Sequence, residues 1–313
     1  MFKIDNYSFL STKLISLDVH LNEMINLYDS GNFPKVLLLN GQKGLGKFTL
    51  AFHFLNYIYS KKEKFPYNVQ EKIINIKSFF YKSILNLSCS DVLFLQAEEG
   101  KNIKIDNIRD LKNILSKSSL SSSPRFVIID EVEFLNKSSV NALLKTLEEP
   151  SNDNYFILIN NQQLDLVETI SSRCLKTNIY LDLQQQKKVI DYFIENKKTI
   201  LAMDYYKNLT PGLLLQYSEL SNRYKITNED TISSKLYNLL HGYKKDKNKA
   251  LINMSIFLID QFFYDLIQKN KNKIEFLSHL RLTIINKINN SVLYNLNISS
   301  VLNLIEIKLK DVR

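Results

Sequence analysis

The tightest constraint on this chain is one short run, Gly41-Gln42-Lys43-Gly44-Leu45-Gly46-Lys47. Gly41, Gly46 and Lys47 hold the spacing of a phosphate-cradling loop, and Gly44 adds a further glycine inside it. Glycines let backbone N–H groups turn inward toward phosphate oxygens, and the Lys ammonium reaches the outer phosphates. Ahead of the run, residues 36–39 are continuously apolar and read as a buried strand. Behind it, residues 49–59 carry Leu50, Phe54, Leu55 and Ile58 at helical spacing. A strand, a glycine loop and a helix in that order commit the first half of the chain to an α/β layout.

One residue departs from the pattern. A phosphate loop of this kind has Ser or Thr after the Lys, because that hydroxyl binds the Mg²⁺ of the nucleotide. Here the position is Phe48, which has no oxygen to offer. Thr49 follows, but one step along a helix rotates a side chain by roughly 100°. The Mg²⁺ seat is expected to be defective, while phosphate binding through Lys47 and the backbone stays open.

Further apolar runs of strand length lie at residues 92–95, 126–129 and 155–159. Each is continuous rather than alternating, which suits strands buried on both faces of a parallel sheet. Helical patterns separate them: Ile108, Leu111 and Leu115 behind a capping Asp106, and Val140, Leu143, Leu144 and Leu147. The run at 126–129 ends in Asp130-Glu131. In phosphate-loop enzymes such an Asp holds Mg²⁺ and an adjacent Glu polarises the attacking water. That half of the site is intact, in conflict with Phe48.

After about residue 180 strand signals stop. Helices are expected over residues 183–197, around 200–206, and over 213–220, with Thr210-Pro211-Gly212 as a break that begins the last of these. Further on, Ile252, Ile256, Ile259 and Phe263, then Leu277, Leu280, Ile284 and Ile285, make amphipathic stripes sufficient for a helical bundle. The charged stretch 242–249 is expected to be a loop. The net charge is +9, which favours anionic partners, nucleic acid first. Two cysteines, Cys89 and Cys174, build neither a disulfide framework nor a four-cysteine metal site, so no metal is expected. Charges interrupt the first residues at once, and the apolar strand runs are too short to cross a bilayer, so a cytoplasmic protein without membrane attachment is expected.

The motifs gain specificity in combination. Ile128-Ile129-Asp130-Glu131 is followed by Asn141-Ala142-Leu143-Leu144-Lys145-Thr146-Leu147-Glu148-Glu149-Pro150, then Phe156-Ile157-Leu158-Ile159-Asn160-Asn161, then Ser172-Arg173-Cys174. This order resembles the AAA+ clamp-loader family over roughly residues 30–176. The resemblance implies an AAA+ P-loop α/β domain with a parallel sheet (1–178), a helical lid (179–228) and an all-α C-terminal collar domain for oligomerisation (229–313). Within the family the departures resemble the delta-prime group of the bacterial DNA polymerase III clamp loader. Family members commonly carry a sensor Arg just after the Pro-Gly of the lid, and this chain has Leu213. Motor subunits carry a four-cysteine zinc module between the two nucleotide motifs, where only Cys89 lies here; many delta-prime subunits carry it too, so its absence discriminates little.

What the resemblance implies about roles is as follows. Gly41, Gly44, Gly46, Lys47, Thr49, Asp130, Glu131 and Asn161 form a nucleotide site of degenerate type, with Asn161 the sensor position and Asn160 next to it. No cofactor is required, and ATP or ADP binding stays open. Arg173 acts in trans as an arginine finger toward the nucleotide of a neighbouring subunit, a role worth on the order of 10³ or more in rate. Cys174 is a packed residue, not a nucleophile. Lys145 and Arg109 are solvated helix residues or DNA contacts. The partners implied are gamma/tau-like motor and delta-like subunits, the sliding clamp and primed DNA, in a hetero-oligomer. Two competing readings are an ATP-hydrolysing motor subunit and a basic DNA-binding module on a P-loop scaffold.

Overall fold

The structure is a computed structural model that describes residues 11–97, 102–117, 123–150, 153–197 and 209–310. It divides into two compact units. The first is Met1–Lys198 with Tyr205–Leu215, and the second is Thr199–Asp204 with Gln216–Arg313.

The first unit runs α1 (Asp18–Asp29), β1 (Val36–Asn40), α2 (Lys47–Ser60), α3 (Phe79–Leu85), β2 (Val92–Gln96), α4 (Ile105–Leu115), β3 (Arg125–Asp130), α5 (Lys137–Glu148), β4 (Asn154–Asn160), α6 (Glu168–Ser171), β5 (Leu175–Asn178) and α7 (Leu183–Lys197). The strands make one sheet in the order β2-β3-β4-β1-β5, parallel throughout. Each of the four apolar runs is a strand, and β1 and β3 are buried at every position. Their alternation splits the core in two. Leu37, Leu39, Phe126, Ile128, Ile157 and Ile159 face one layer with Leu21 of α1 and Leu50 and Phe54 of α2. Val36, Leu38, Val127, Ile129, Phe156 and Leu158 face the other with Ile108 of α4 and Leu143 of α5. Each such side chain contributes about 1.5–3 kcal/mol by leaving water, so the middle strands are anchored from both faces. That fixes their C-terminal ends, from which the candidate site is built.

Several local details differ from the sequence expectation. The Asp106 cap is replaced by Lys104, because Asn107 Oδ1 accepts the Lys104 N–H at 3.1 Å and starts α4 earlier; Asp106 lies in the first turn. The helix α2 begins at Lys47 itself, behind Gly46 in left-handed conformation. The sequence patterns passed over α1, α3 and the edge strand β5.

In the second unit, α9 (Ile232–Asp246), α10 (Lys249–Lys269), α11 (Ile274–Leu293) and α12 (Ile298–Lys310) surround a core of Leu236, Leu240, Ile259, Phe263, Leu277, Ile284 and Ile305. The boundary between the units falls within α8 (Pro211–Arg223). The expected loop at 242–249 is mostly helix. α9 continues to Asp246, turns at Lys247 with φ of 55°, and Asn248 caps α10 by accepting the Ala250 N–H at 2.7 Å. Asp246 is tied down by Tyr224 and Arg223, which offsets the charge at that end. α10 has the length and hydropathy of a membrane span, but its stripe Leu251, Met254, Leu258 and Phe263 is buried among protein side chains. The helix expected around 200–206 lies outside the described residues.

Candidate nucleotide site

Three strands end together in asparagine. Asn40, Asn160 and Asn178 stand opposite one another at the ends of β1, β4 and β5. Asn160 Nδ2 donates to Asn40 Oδ1 at 2.8 Å, and Asn40 Nδ2 donates to Asn178 Oδ1 at 2.8 Å. The ladder pairs the buried Asn40 and Asn160 side chains with each other and with the exposed Asn178, and holds the floor from which the glycine loop springs. It also occupies Asn160, so the residue that turns to the acidic motif is Asn161.

Above this floor the loop follows β1. Gly41 donates to Asn160 O at 3.3 Å and passes so close to β5's continuation that a Cβ there would meet Ile179 O at 2.4 Å. Gly44 and Gly46 hold φ of 87° and 83°, the left-handed region glycine adopts without strain. Lys47 opens α2 and is 2% exposed. Its ammonium turns back on its own loop, donating to Gly41 O and Gln42 O at 2.7 Å each. Burial pulls its pKa down to about 8, against the opposing pull of Asp130 and Glu133.

The acidic motif is bound into the same network. Asp130 accepts from Asn161 Nδ2 at 3.0 Å and from the Glu131 N–H at 2.8 Å. Burial, then the neighbouring Glu131 charge, raises its pKa to about 6, with Lys47 and Lys43 acting against the rise. Glu131 sits at φ of 58°, outside the usual range for a side-chain-bearing residue, and joins Lys43 Nζ at 2.7 Å and Gln163 Nε2 at 3.3 Å. Glu133 accepts from the Asn161 N–H at 3.0 Å and from the Gln163 N–H at 3.4 Å, and burial raises its pKa. Lys43, Glu133 and Gln163 are participants the sequence patterns missed. Lys43 lay inside the glycine loop and was legible as a cation there; the other two lie far from it in sequence.

The loop's apex touches the start of α8. Gly212 donates to Gly44 O at 2.9 Å, and Thr210 Oγ1 donates to Lys43 O at 2.6 Å. A Cβ on Gly44 would lie 2.2 Å from Thr210 Oγ1 and 2.9 Å from the Leu213 nitrogen. Leu213 itself brings no cation. Phe48 turns its half-buried ring into the core layer, 5.7 Å from the ring of Phe94 in β2. Thr49 lies one position further round α2, half-buried. The metal hydroxyl is replaced by an aromatic packing group, the Lys donates to its own loop, and the space beside Gly44 is filled by Thr210. Among the described residues no cluster of three or more His, Cys, Asp and Glu is arranged to hold a metal.

Arg173 belongs to a different part of the unit. It follows α6 on an exposed turn, where its guanidinium meets Glu148 at the end of α5 at 2.6 Å and donates to Thr169 O at 2.7 Å. Beside it the Cys174 thiol donates to Ile170 O at 3.0 Å, and burial pushes its pKa up to about 11, which keeps it an unreactive thiol. Lys145 and Arg109 are exposed on α5 and α4, and Arg109 pairs with Asp106 at 3.1 Å.

A five-stranded parallel sheet in the order β2-β3-β4-β1-β5, a glycine loop entering a helix from β1, an acid-terminated strand β3 one place beyond β4, and a helical C-terminal part make an AAA+ layout. A family model described as DNA polymerase III, delta subunit, matches residues 18–184, more than half of the chain, and the chain belongs to that family. Its curated relatives include the DNA polymerase III subunit delta' of Buchnera aphidicola subsp. Schizaphis graminum, 27% identical over 80% of this chain and 76% of that one. The delta' subunit of Bacillus subtilis is 32% identical over 49% of this chain and 45% of that one. The gamma subunit of the same Buchnera is 30% identical over 53% of this chain and 44% of that one. The chain thus spans most of the first of these and under half of the other two. A solved structure of a gamma subunit-related protein from Thermotoga maritima shares the fold, with a TM-score of 0.53 at 19% identity over 94% of this chain and 99% of that one. The chain is a clamp-loader subunit of the delta-prime and gamma kind.

Proposed function

We propose that this chain is the non-hydrolysing stator of a bacterial clamp loader, and that its chemical contribution is Arg173, offered to the ATP site of a neighbouring motor subunit. The observation that carries the proposal is the self-occupied loop: Lys47 donates to Gly41 O and Gln42 O, and Gly44 lies against Gly212. A loop arranged for hydrolysis has its Lys and glycine N–H groups directed at phosphates and a hydroxyl on the metal. Here Phe48 and Leu213 remove two phosphate-handling groups from one site. The retained Asp130 and Glu131 are accounted for as structural acceptors that tie β3, β4 and the loop together through Asn161, Lys43 and Gln163.

Arg173 suits work in trans. Its guanidinium is a planar fork suited to phosphate oxygens, and it lies on an exposed turn rather than in its own glycine loop. In this scheme the helical second unit supplies the collar contacts, the partners are gamma/tau-like and delta-like subunits, and the complex loads the sliding clamp onto primed DNA in the cytoplasm. The test is the ATPase of the reconstituted complex. Arg173→Ala lowers turnover at the adjacent site on the order of 10³-fold while the complex still assembles. Unchanged turnover refutes the finger. The relatives named gamma favour a motor subunit as the second reading. It requires ATP turnover by the purified chain alone, which the stator scheme puts at background.

A further inference from the structure

Arg173 is held with more care than an exposed side chain needs. Its side chain is 33% exposed and that of Glu148 is 45% exposed, so burial fixes neither. Yet every guanidinium nitrogen is engaged by the chain itself. Nε and Nη2 both reach Oε1 of Glu148, at 2.7 and 2.6 Å. Nη1 donates to Thr169 O at 2.7 Å and, more loosely, to Ser172 Oγ at 3.3 Å. Glu148 is also poorly placed for its own helix. It is the last residue of α5, beside Glu149, where a carboxylate adds to the negative end of the helix dipole. An exposed ion pair returns little in stability. Neither the helix nor the fold explains the pair.

What the pair does provide is geometry. An unrestrained Arg samples many rotamers, and holding it in one costs conformational entropy. Glu148 grips the Nε edge and Thr169 O grips Nη1 from the other side. By count that leaves one Nη2 hydrogen without an acceptor in the chain, beside the Nη1 hydrogen held loosely by Ser172 Oγ. We propose that Glu148 is a positioning residue: it orients the Arg173 guanidinium by its Nε edge so that the Nη end faces the phosphate of a neighbouring subunit's nucleotide. This rests on Arg173 acting in trans, and it goes beyond that reading in assigning Glu148 a role in turnover without contact to nucleotide.

The experiment measures steady-state ATP hydrolysis by the reconstituted clamp loader carrying wild-type, Arg173→Ala, Glu148→Ala or Glu148→Gln chains, with thermal melting of each purified chain alongside. A guanidinium that acts in the transition state loses kcat and kcat/KM together. Glu148→Ala is expected to lower kcat about tenfold, with KM for ATP within about twofold and melting within about 2 °C. Glu148→Gln keeps an oxygen acceptor at the same reach and restores most of the rate. If Arg173→Ala lowers turnover and Glu148→Ala does not, or if Glu148→Ala raises it, the positioning role is overturned and the finger stands. A rise in KM at unchanged kcat overturns it as well. If Arg173→Ala has no effect, the finger itself fails.

Discussion

Gly212→Ala sets two effects of opposite sign against each other. Gly212 is the second residue of α8, and Ala in a helix is preferred over Gly by up to about 1 kcal/mol. On propensity alone the substitution stabilises. The packing against the glycine loop argues otherwise. The new Cβ would lie 2.7 Å from Gly44 Cα and 2.9 Å from Gly44 O, both backbone atoms, where ordinary contact begins near 3.4 Å. The helix start and the loop must part by about 0.7 Å, since 3.4 − 2.7 is 0.7. That separation stretches the 2.9 Å bond from the Gly212 N–H to Gly44 O past hydrogen-bonding distance. Losing the bond costs about 1 kcal/mol, and forcing atoms into a packed contact costs about 1–3 kcal/mol. The expected net is a destabilisation of about 1–3 kcal/mol after the propensity gain is subtracted. Urea unfolding of the full chain reads it as an earlier first transition, and amide exchange at residue 212 reads it locally as lost protection. Gly31→Ala is the control. It meets open space at φ of 74°, so its cost is left-handed strain of roughly 1–2 kcal/mol with no clash. A Gly212→Ala chain as stable as wild type, with the amide of residue 212 still protected, would refute the loop contact.

Three further substitutions probe the site. Phe48→Thr restores the metal hydroxyl but removes the contact with Phe94, so the chain loses about 1–2 kcal/mol in chemical unfolding and gains no ATPase, because Leu213 still brings no cation. Glu131→Gln leaves the ATPase of the complex unchanged and shifts urea unfolding by no more than about 1 kcal/mol; a large drop in turnover would show that this chain's own site hydrolyses ATP. For Asp130 the folded pKa of about 6 lies above the ordinary value of 3.8, so its protonated form is favoured on folding. Stability from this group is fully present below about pH 3.8 and is lost as pH rises through about 6. Asp130→Asn therefore stabilises by on the order of 1–3 kcal/mol at pH 7.5, with the gain vanishing toward pH 4. Melting curves across that range check it, and a destabilised variant at every pH contradicts it.

The sheet was legible because burial on both faces writes itself as unbroken apolar runs, as at Phe126–Val127–Ile128–Ile129. The edge strand β5 was not, since Leu175-Lys176-Thr177-Asn178 is mostly exposed and carries no apolar run. The helix α1 has only Leu21, Met24 and Ile25 buried, too short a stripe to stand out. In the site, Gly41, Gly46 and Lys47 were legible as a local motif, and Asp130 as a strand end. Their surroundings depend on residues far apart in sequence, such as Thr210 on Lys43 and Glu133 on Asn161, which no local pattern reveals. The intact Asp130-Glu131 pair was a contradiction in the sequence. In the fold one oxygen of each acid is held, Asp130 Oδ1 by Asn161 and Glu131 Oε1 by Lys43 and Gln163, which gives the acids contacts independent of hydrolysis.

The central claim is that this subunit acts in its neighbour's site and not in its own. ATP turnover by the reconstituted clamp loader, compared between Lys47→Met and Arg173→Ala chains at equal assembly, tests both halves at once. Turnover is expected to stay near wild type in the Lys47→Met complex and to fall on the order of 10³-fold at the site next to Arg173 in the Arg173→Ala complex. The reverse result, a fall with Lys47→Met and none with Arg173→Ala, would contradict it.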